Sequence, residues 1–134
     1  MDSTSIELIG SKISAVTVEG DRVKIRFEPA YLVKTMTGSV ERTRWWQNGE
    51  LVFEGAQLDP AQPVPQLPAE CTGGDIGENV YTYRDMLPVP LASVGRAHCD
   101  LRLKGSDTPL RVHAEAVTLV LEDVAKYIEH LRPE

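Results

Sequence analysis

Hydrophobic and polar residues alternate one by one in two neighbouring stretches of the chain, 97–103 and 110–116. A period of two is typical of a β-strand with one buried face. Between the stretches lies Gly105-Ser106-Asp107-Thr108, whose composition favours a turn. The pattern therefore predicts a β-hairpin. Its apolar positions are Ala97, Cys99, Leu101, Leu103, Leu110, Val112, Ala114 and Ala116.

A four-residue loop at 105–108 fixes which residues of this hairpin face each other. The resulting pairs are all apolar: Leu103 with Leu110, Leu101 with Val112, and Cys99 with Ala114. We expect these residues to be buried, because a slip of one residue would turn all of them toward solvent. After Ala116 the apolar positions become Val117, Leu119 and Leu121. This change of parity predicts a bulge in the second strand.

Residues 14–18 and 23–27 alternate in the same way, and a compact turn containing Gly20-Asp21 separates them. The turn predicts that Val18 lies opposite Val23 and that Val16 lies opposite Ile25. Pro29 is expected to end this pairing, because proline has no backbone N–H to donate.

Asn48-Gly49 is the strongest short turn signal in the chain, and it predicts another hairpin. A two-residue turn there would pair Trp46 with Leu51 and Arg44 with Phe53.

The stretch 58–79 is predicted to be a long acidic loop rich in proline and glycine. Four prolines and a Gly73-Gly74 pair argue against a central strand there. Residues 80–83 are then predicted to form a short strand. The stretch 87–91, which contains two prolines, is predicted to be an extended edge segment.

The end of the chain, 123–132, is predicted to be a short α-helix. Asp123 is a suitable N-cap, and Pro133 would stop the helix. The apolar residues Val124, Tyr127, Ile128 and Leu131 recur at helical spacing. The segment Tyr127–Leu131 also resembles the terminal helix of small bacterial β-rich proteins of unknown function, and this resemblance implies no activity.

Together these elements predict a single mainly β domain over residues 1–134. Hairpins that follow one another every eight to twelve residues are typical of an antiparallel barrel or sandwich, here of about eight strands. A helix of about ten residues is marginal alone, so its apolar stripe should pack on the open end of the barrel or on one face of the sheet.

The net charge of −6 narrows the classes of partner. Seven acidic residues and one basic residue lie between 50 and 85, so this segment carries the whole excess of negative charge. An acidic balance argues against nucleic-acid binding, which needs a basic surface. No apolar run is long enough for a membrane helix, the start lacks a secretory pattern, and the chain has two cysteines. We therefore expect a cytoplasmic protein that binds neither nucleic acid nor membrane.

The predicted hairpin brings four residues with metal-binding chemistry onto its polar face. His98 would lie opposite Glu115, and Asp100 opposite His113. Two imidazoles and two carboxylates within cross-strand reach could bind a divalent metal or share protons. The alternative is a solvated strand face, which requires polar residues at these positions in any case.

A second group of candidates combines tryptophans and acids. Trp45 and Trp46 are neighbours on a strand, so they face opposite ways, and one of them cannot fill the core. Tryptophan is enriched among the anchors of protein interfaces. The predicted partner-binding residues are Trp45, Trp46, Glu54, Asp59, Glu70, Asp75 and Glu78.

Three functions follow, in order of preference. The first is a non-enzymatic module that binds a basic protein through the acidic loop, as an immunity protein or inhibitor does. The second is a lipocalin-like barrel that binds a small molecule beneath the proline-rich loop. The third is a metal-dependent enzyme using His98, Asp100, His113 and Glu115. No catalytic motif is recognised, so no cofactor is expected. The barrel interior separates the first two functions, because a small-molecule carrier needs a hollow interior and a protein-binding module does not.

Overall fold

The computed structural model describes residues 3–38, 40–60 and 63–131. Within these ranges the regular secondary structure consists of β-strands, without a helix. They form one hydrogen-bonded sheet of eleven strands, paired in antiparallel fashion. In chain order these are β1 (Ser3–Glu7), β2 (Lys12–Glu19), β3 (Arg22–Thr35), β4 (Arg42–Glu54), β5 (Gln57–Leu58), β6 (Ala69–Glu78), β7 (Tyr81–Arg84), β8 (Met86–Val89), β9 (Ala92–Leu103), β10 (Leu110–Leu121) and β11 (Lys126–Leu131).

Part of this sheet closes into an antiparallel barrel, one of the two architectures that the sequence predicts. The barrel has six strands and the whole sheet eleven, where about eight were expected. The barrel order is β2-β3-β4-β10-β9-β6, and β6 returns to pair with β2. Such a barrel is narrower than one of about eight strands, whose interior is just wide enough for side chains. Its interior is accordingly filled. The largest fully buried side chains include Phe27, Phe53, Ile13, Ile25, Ile76, Leu51, Leu101 and Leu110.

The remaining strands extend the sheet beyond the barrel. β3 and β4, with 14 and 13 residues, leave the barrel side by side as a ribbon. β11 pairs with the first half of β4, while β1 pairs with the second half of β3 and then with β8. We call the five strands β11-β4-β3-β1-β8 the sheet extension.

The hairpin predicted from residues 14–18 and 23–27 is confirmed. Val18 pairs with Val23 and Val16 with Ile25. Pro29 ends only part of the pairing: β2 stops opposite Phe27, whereas β3 continues past the proline through an irregularity in its pairing with β4. The short strands predicted near 80–83 and 87–91 are also present, as β7 and β8.

The central hairpin is confirmed, but its register differs from the prediction by two residues. Leu110 pairs with Leu101 rather than Leu103, and Val112 pairs with Cys99. An even shift keeps the same residues on the inner face, so the predicted core is buried except for Ala114, which is half-buried beside a bulge at 114–116. The loop is longer than predicted because the backbone N–H of Lys104 bonds to Glu70 instead of entering the hairpin.

The turn predicted at Asn48-Gly49 is wrong, since β4 runs straight through it. Gly49 serves a close approach between strands. A Cβ at this position would lie 2.7 Å from the carbonyl oxygen of Val120 and 3.2 Å from Cα of Leu121. The absence of a side chain at Gly49 therefore lets β10 pack closely against β4. This contact between strands, and not a turn, explains the glycine at this position.

The long loop predicted at 58–79 is also wrong for about half of its length. Residues 69–78 form β6, which is a strand of the barrel wall and pairs with β9 on one side and with β2 on the other. The proline-rich part keeps irregular structure at 63–68, while residues 61 and 62 lie outside the described ranges. Part of the acidic segment is thus barrel wall.

The predicted C-terminal helix is absent from the described residues, and β11 occupies its place. Asp123 has a φ of 58°, so the chain turns there, and residues 126–131 then run extended along β4 with backbone pairing that a helix could not make. The side-chain amide of Gln47 donates to the carbonyl oxygens of Glu122 and Asp123, and this Gln47 latch directs the chain back along β4. Residue 132 lies outside the described residues. The described residues contain no helix that could cross a membrane.

Leu101→Ala should lower the free energy of unfolding by about 2–5 kcal/mol, the usual cost of emptying a buried leucine site. Leu101 is fully buried between β6 and β10. Urea denaturation followed by circular dichroism measures the change. Val94→Ala, at a residue 87% exposed on the same strand, is the matched control. An unchanged midpoint for Leu101→Ala would contradict the observed core.

Candidate functional site

The two tryptophans lie at the centre of the sheet extension and face opposite ways. Trp45 points to the inner side, packs against the core and meets the ring of Tyr127 edge-on, with 5.4 Å between centroids. Trp46 points outward, on the same face of β4 as Asn48 and Glu50. Both indoles are half-buried. Trp46 is therefore the tryptophan presented on the outside of the barrel.

Trp46 lies in a surface groove of about 430 Å³. We call it the Trp46 groove, and its lining consists of Glu28, Pro29, Tyr31, Trp46, Asn48 and Ile128. The lining comes from three adjacent strands, because Tyr31 of β3 pairs with Trp46 of β4, which pairs with the start of β11. Sequence reasoning identified Trp46 but missed its neighbours. The turn predicted at Asn48-Gly49 replaces the pairing of Trp46 with Tyr31, and the predicted helix replaces β11, which contributes Ile128.

The indole of Trp46 carries a cation on its face. Lys126, its cross-strand neighbour, places Nζ 4.6 Å from the ring centroid. A cation at this distance is attracted by the negative face of the ring. Lys126 is exposed, so this contact leaves the apolar lining residues Pro29, Tyr31 and Ile128 in the groove wall.

Two ion-pair clusters lie at the ends of the groove, and each contains one arginine shared by two glutamates. In the Arg26 triad, Arg26 makes a bidentate contact with Glu122 at 2.8 and 3.0 Å and lies 3.5 Å from Glu28. This hydrogen bonding lowers the pKa of Glu122 and raises the pKa of Arg26.

In the Arg44 triad, Arg44 lies between Glu7 at 3.1 Å and Glu129 at 3.2 Å. Along β4 the two triads flank Trp46, since Arg26 pairs with Glu50 on one side and Arg44 lies two residues away on the other. Each triad has two negative charges and one positive charge. The rim of the groove is therefore polar with a negative excess at both ends.

The predicted acidic partner-binding residues are not gathered around the tryptophans. Glu54 pairs with Arg22 at 2.6 Å, and Asp75 pairs with Arg84 at 3.3 Å. Glu70 and Glu78 lie at opposite ends of β6, which at about 3.3 Å per residue places them roughly 26 Å apart. Asp59 follows β5. These acids give the barrel a general negative charge and form no single patch.

The four residues of the predicted metal site have different neighbours from those expected. The register shift places His98 opposite His113 and pairs Asp100 with Arg111, whose Nε lies 2.9 Å from a carboxylate oxygen. The His98 ring covers Gly77 on β6, where a Cβ would overlap it. Within the described ranges no three His, Cys, Asp or Glu side chains are grouped to hold a metal ion. Glu115 instead lies against Gly55.

The barrel interior and the cysteines offer no further site. A filled interior does not favour a lipocalin-like carrier. Cys71, which falls within the loop predicted at 58–79, is buried in β6, and Cys99 is buried in β9. Burial raises the pKa of both thiols, so neither is activated as a nucleophile.

Glu122→Gln should destabilise the protein at neutral pH but not in acid. The folded-state pKa of Glu122 lies below its unfolded value, so the ionised pair stabilises above the unfolded pKa, and this stabilisation is lost as pH falls through the folded pKa. Urea midpoints of both proteins across this pH range measure the difference. Glu70→Gln, at an exposed residue, is the control. A difference that persists unchanged into acid would exclude the Arg26 triad as its cause.

Comparison with known proteins assigns no family to this arrangement. No protein-family model matches the chain, and neither a curated protein nor a solved structure matches it. What the residues themselves provide is a packed barrel, an aromatic groove on its outer face and two acidic triads at the ends of that groove.

Proposed function

We propose that the protein is a non-enzymatic protein-binding module that holds an apolar side chain of a basic partner in the Trp46 groove. The observation that carries this proposal is the groove itself, an apolar concavity of about 430 Å³ built around a half-exposed tryptophan. Pro29, Tyr31 and Ile128 complete its apolar wall.

The composition of the groove suits protein recognition. Interfaces are anchored by a few tryptophan, tyrosine and arginine side chains, surrounded by polar groups that exclude water. Trp46 and Tyr31 supply the anchors, and the Arg26 and Arg44 triads supply the polar rim. The arginines are already held by their glutamates, so they can act as fixed donors without losing much conformational freedom.

The charge distribution supports a basic partner. Both triads carry excess negative charge, and the chain as a whole has a net charge of −6. Dispersed acids on the barrel would steer a basic protein from a distance, and the triads would orient it at the groove. Inhibition of a basic enzyme or neutralisation of a basic toxin, as immunity proteins perform, is the kind of role that such a surface suits.

Docking on this face is preferred over docking on a sheet edge. At one end of the sheet, β8 contains Pro88 and is followed by Pro90. At the other end, β11 has a bulge between Tyr127 and Glu129. Prolines and bulges both blunt an edge against added strands. A partner is therefore expected to use side chains in the groove more than backbone pairing.

Trp46→Ala should weaken partner binding by about 30-fold or more, the cost of truncating an interface anchor. Peptides selected against the wild-type protein from a random displayed library provide the probe. They should be enriched in a large apolar residue next to lysine or arginine. Calorimetry then compares the variants.

Tyr81→Ala is the matched control for this test, because Tyr81 is another exposed aromatic residue but lies on β7, away from the groove. Its binding of the selected peptides should equal that of the wild type. Selected peptides that bind the Trp46→Ala protein as tightly as the wild type would refute the proposed surface.

Glu28→Gln combined with Glu129→Gln should slow association with the selected peptides and flatten its dependence on salt. Each substitution removes one carboxylate from a triad and leaves the other glutamate on its arginine. Stopped-flow association at several salt concentrations measures the effect. Glu70→Gln with Glu78→Gln changes the net charge equally but lies elsewhere, on β6. Equal slowing by both pairs would mean that total charge, and not the triads, attracts the partner.

A further inference from the structure

A second concave surface lies on the inner side of the sheet extension, beneath Trp45. Its volume is about 360 Å³, at the lower end of the range of about 300–1,000 Å³ that is usual for small-molecule sites. We call it the Trp45 pocket. Its polar lining is Ser3, Thr4, Lys34, Thr35 and Thr43, and its apolar lining is Trp45 and Met36. It lies outside the barrel and on the opposite face from the Trp46 groove.

Trp45 forms a fixed aromatic wall in this pocket. Its indole Nε1 donates to Oγ1 of Thr43 at 2.8 Å, and the ring of Tyr127 packs against it edge-on. Lys34 places Nζ 4.3 Å from the ring centroid. The ring therefore keeps its orientation without a ligand, which lowers the entropic cost of binding one.

The polar lining offers hydrogen-bond donors to a bound acceptor, namely the ammonium group of Lys34 and the hydroxyl groups of its serine and threonines. The hydroxyl of Thr43 accepts from Trp45, so its own hydrogen remains for another acceptor. Across the described ranges, no carboxylate lies within ion-pair distance of the Lys34 ammonium. Among the described residues that line the pocket, none is acidic. The described lining thus carries one positive charge, that of Lys34, in a chain whose net charge is −6.

We propose that the Trp45 pocket binds a small aromatic carboxylate. The flat apolar body would lie against Trp45 and Met36, and the carboxylate would accept hydrogen bonds from Lys34 and Thr43. Charge-assisted hydrogen bonds of this kind are about twice as strong as neutral ones, so the carboxylate supplies the specificity. The inference does not depend on the proposed protein-binding role, because it uses the other face of β4.

The test titrates the ¹⁵N-labelled full chain with phenylacetate and, separately, with its neutral counterpart phenylacetamide. The indole N–H signal of Trp45, identified by its loss in Trp45→Phe, reports on the pocket. Saturable movement of this signal with phenylacetate, and little with phenylacetamide, is the expected result. Equal movement with both compounds, or movement that does not saturate, would overturn the proposal.

Lys34→Gln should weaken phenylacetate binding by about tenfold or more, because it removes a charged donor. Lys24→Gln, on the same strand but paired with Glu19 at 3.7 Å, is the matched control and should bind as the wild type does. Thr43→Val keeps the side-chain shape and should also weaken binding. Thermal unfolding confirms that each variant is folded. Unchanged affinity in both Lys34→Gln and Thr43→Val would refute the assigned contacts.

Discussion

The pairing of β3 with β4 is the interaction on which the rest of the structure depends. It runs from Val23 opposite Phe53 to Thr35 opposite Arg42, with one irregularity after Phe27. Its first part belongs to the barrel wall, and its second part supports the sheet extension. Both tryptophans lie in the second part, so this one ribbon sets the inner pocket and the outer groove on opposite faces. Neither surface would exist if β4 turned at Asn48-Gly49.

The parity of a strand could be predicted from sequence more securely than its register. In β9 and β10 the alternation of Cys99, Leu101, Leu110 and Val112 identified the core, because a shift of two residues preserves which side faces inward. The same shift changes every cross-strand neighbour. It replaced the expected pairing of Asp100 with His113 by an ion pair with Arg111, which is why the polar neighbours were wrong while the core was right.

Tertiary contacts overrode local signals elsewhere. The spacing of Tyr127, Ile128 and Leu131 is compatible with a helix. A bulged strand can give the same spacing, because the extra residue interrupts the strict alternation of apolar and polar positions. The glycines of β6 suggested a loop, whereas Gly77 provides room for the His98 ring. Of the candidate groove, Trp46 was the residue that could be predicted. The turn expected at Asn48-Gly49 placed Trp46 opposite Leu51 instead of Tyr31, and β11, which brings Ile128 from far along the chain, was expected to be a helix.

The Gln47 latch has a consequence for the dynamics of the groove. β10 and β11 lie along the same side of β4, and the latch holds the break between them. In the described part of the chain β11 pairs with no strand other than β4. It can therefore open as a local unit while the barrel stays closed, and its backbone amides should exchange with solvent before those of β10. Opening would remove Ile128 and Lys126 from the groove, so the groove would form and disappear with β11 while the barrel stays folded.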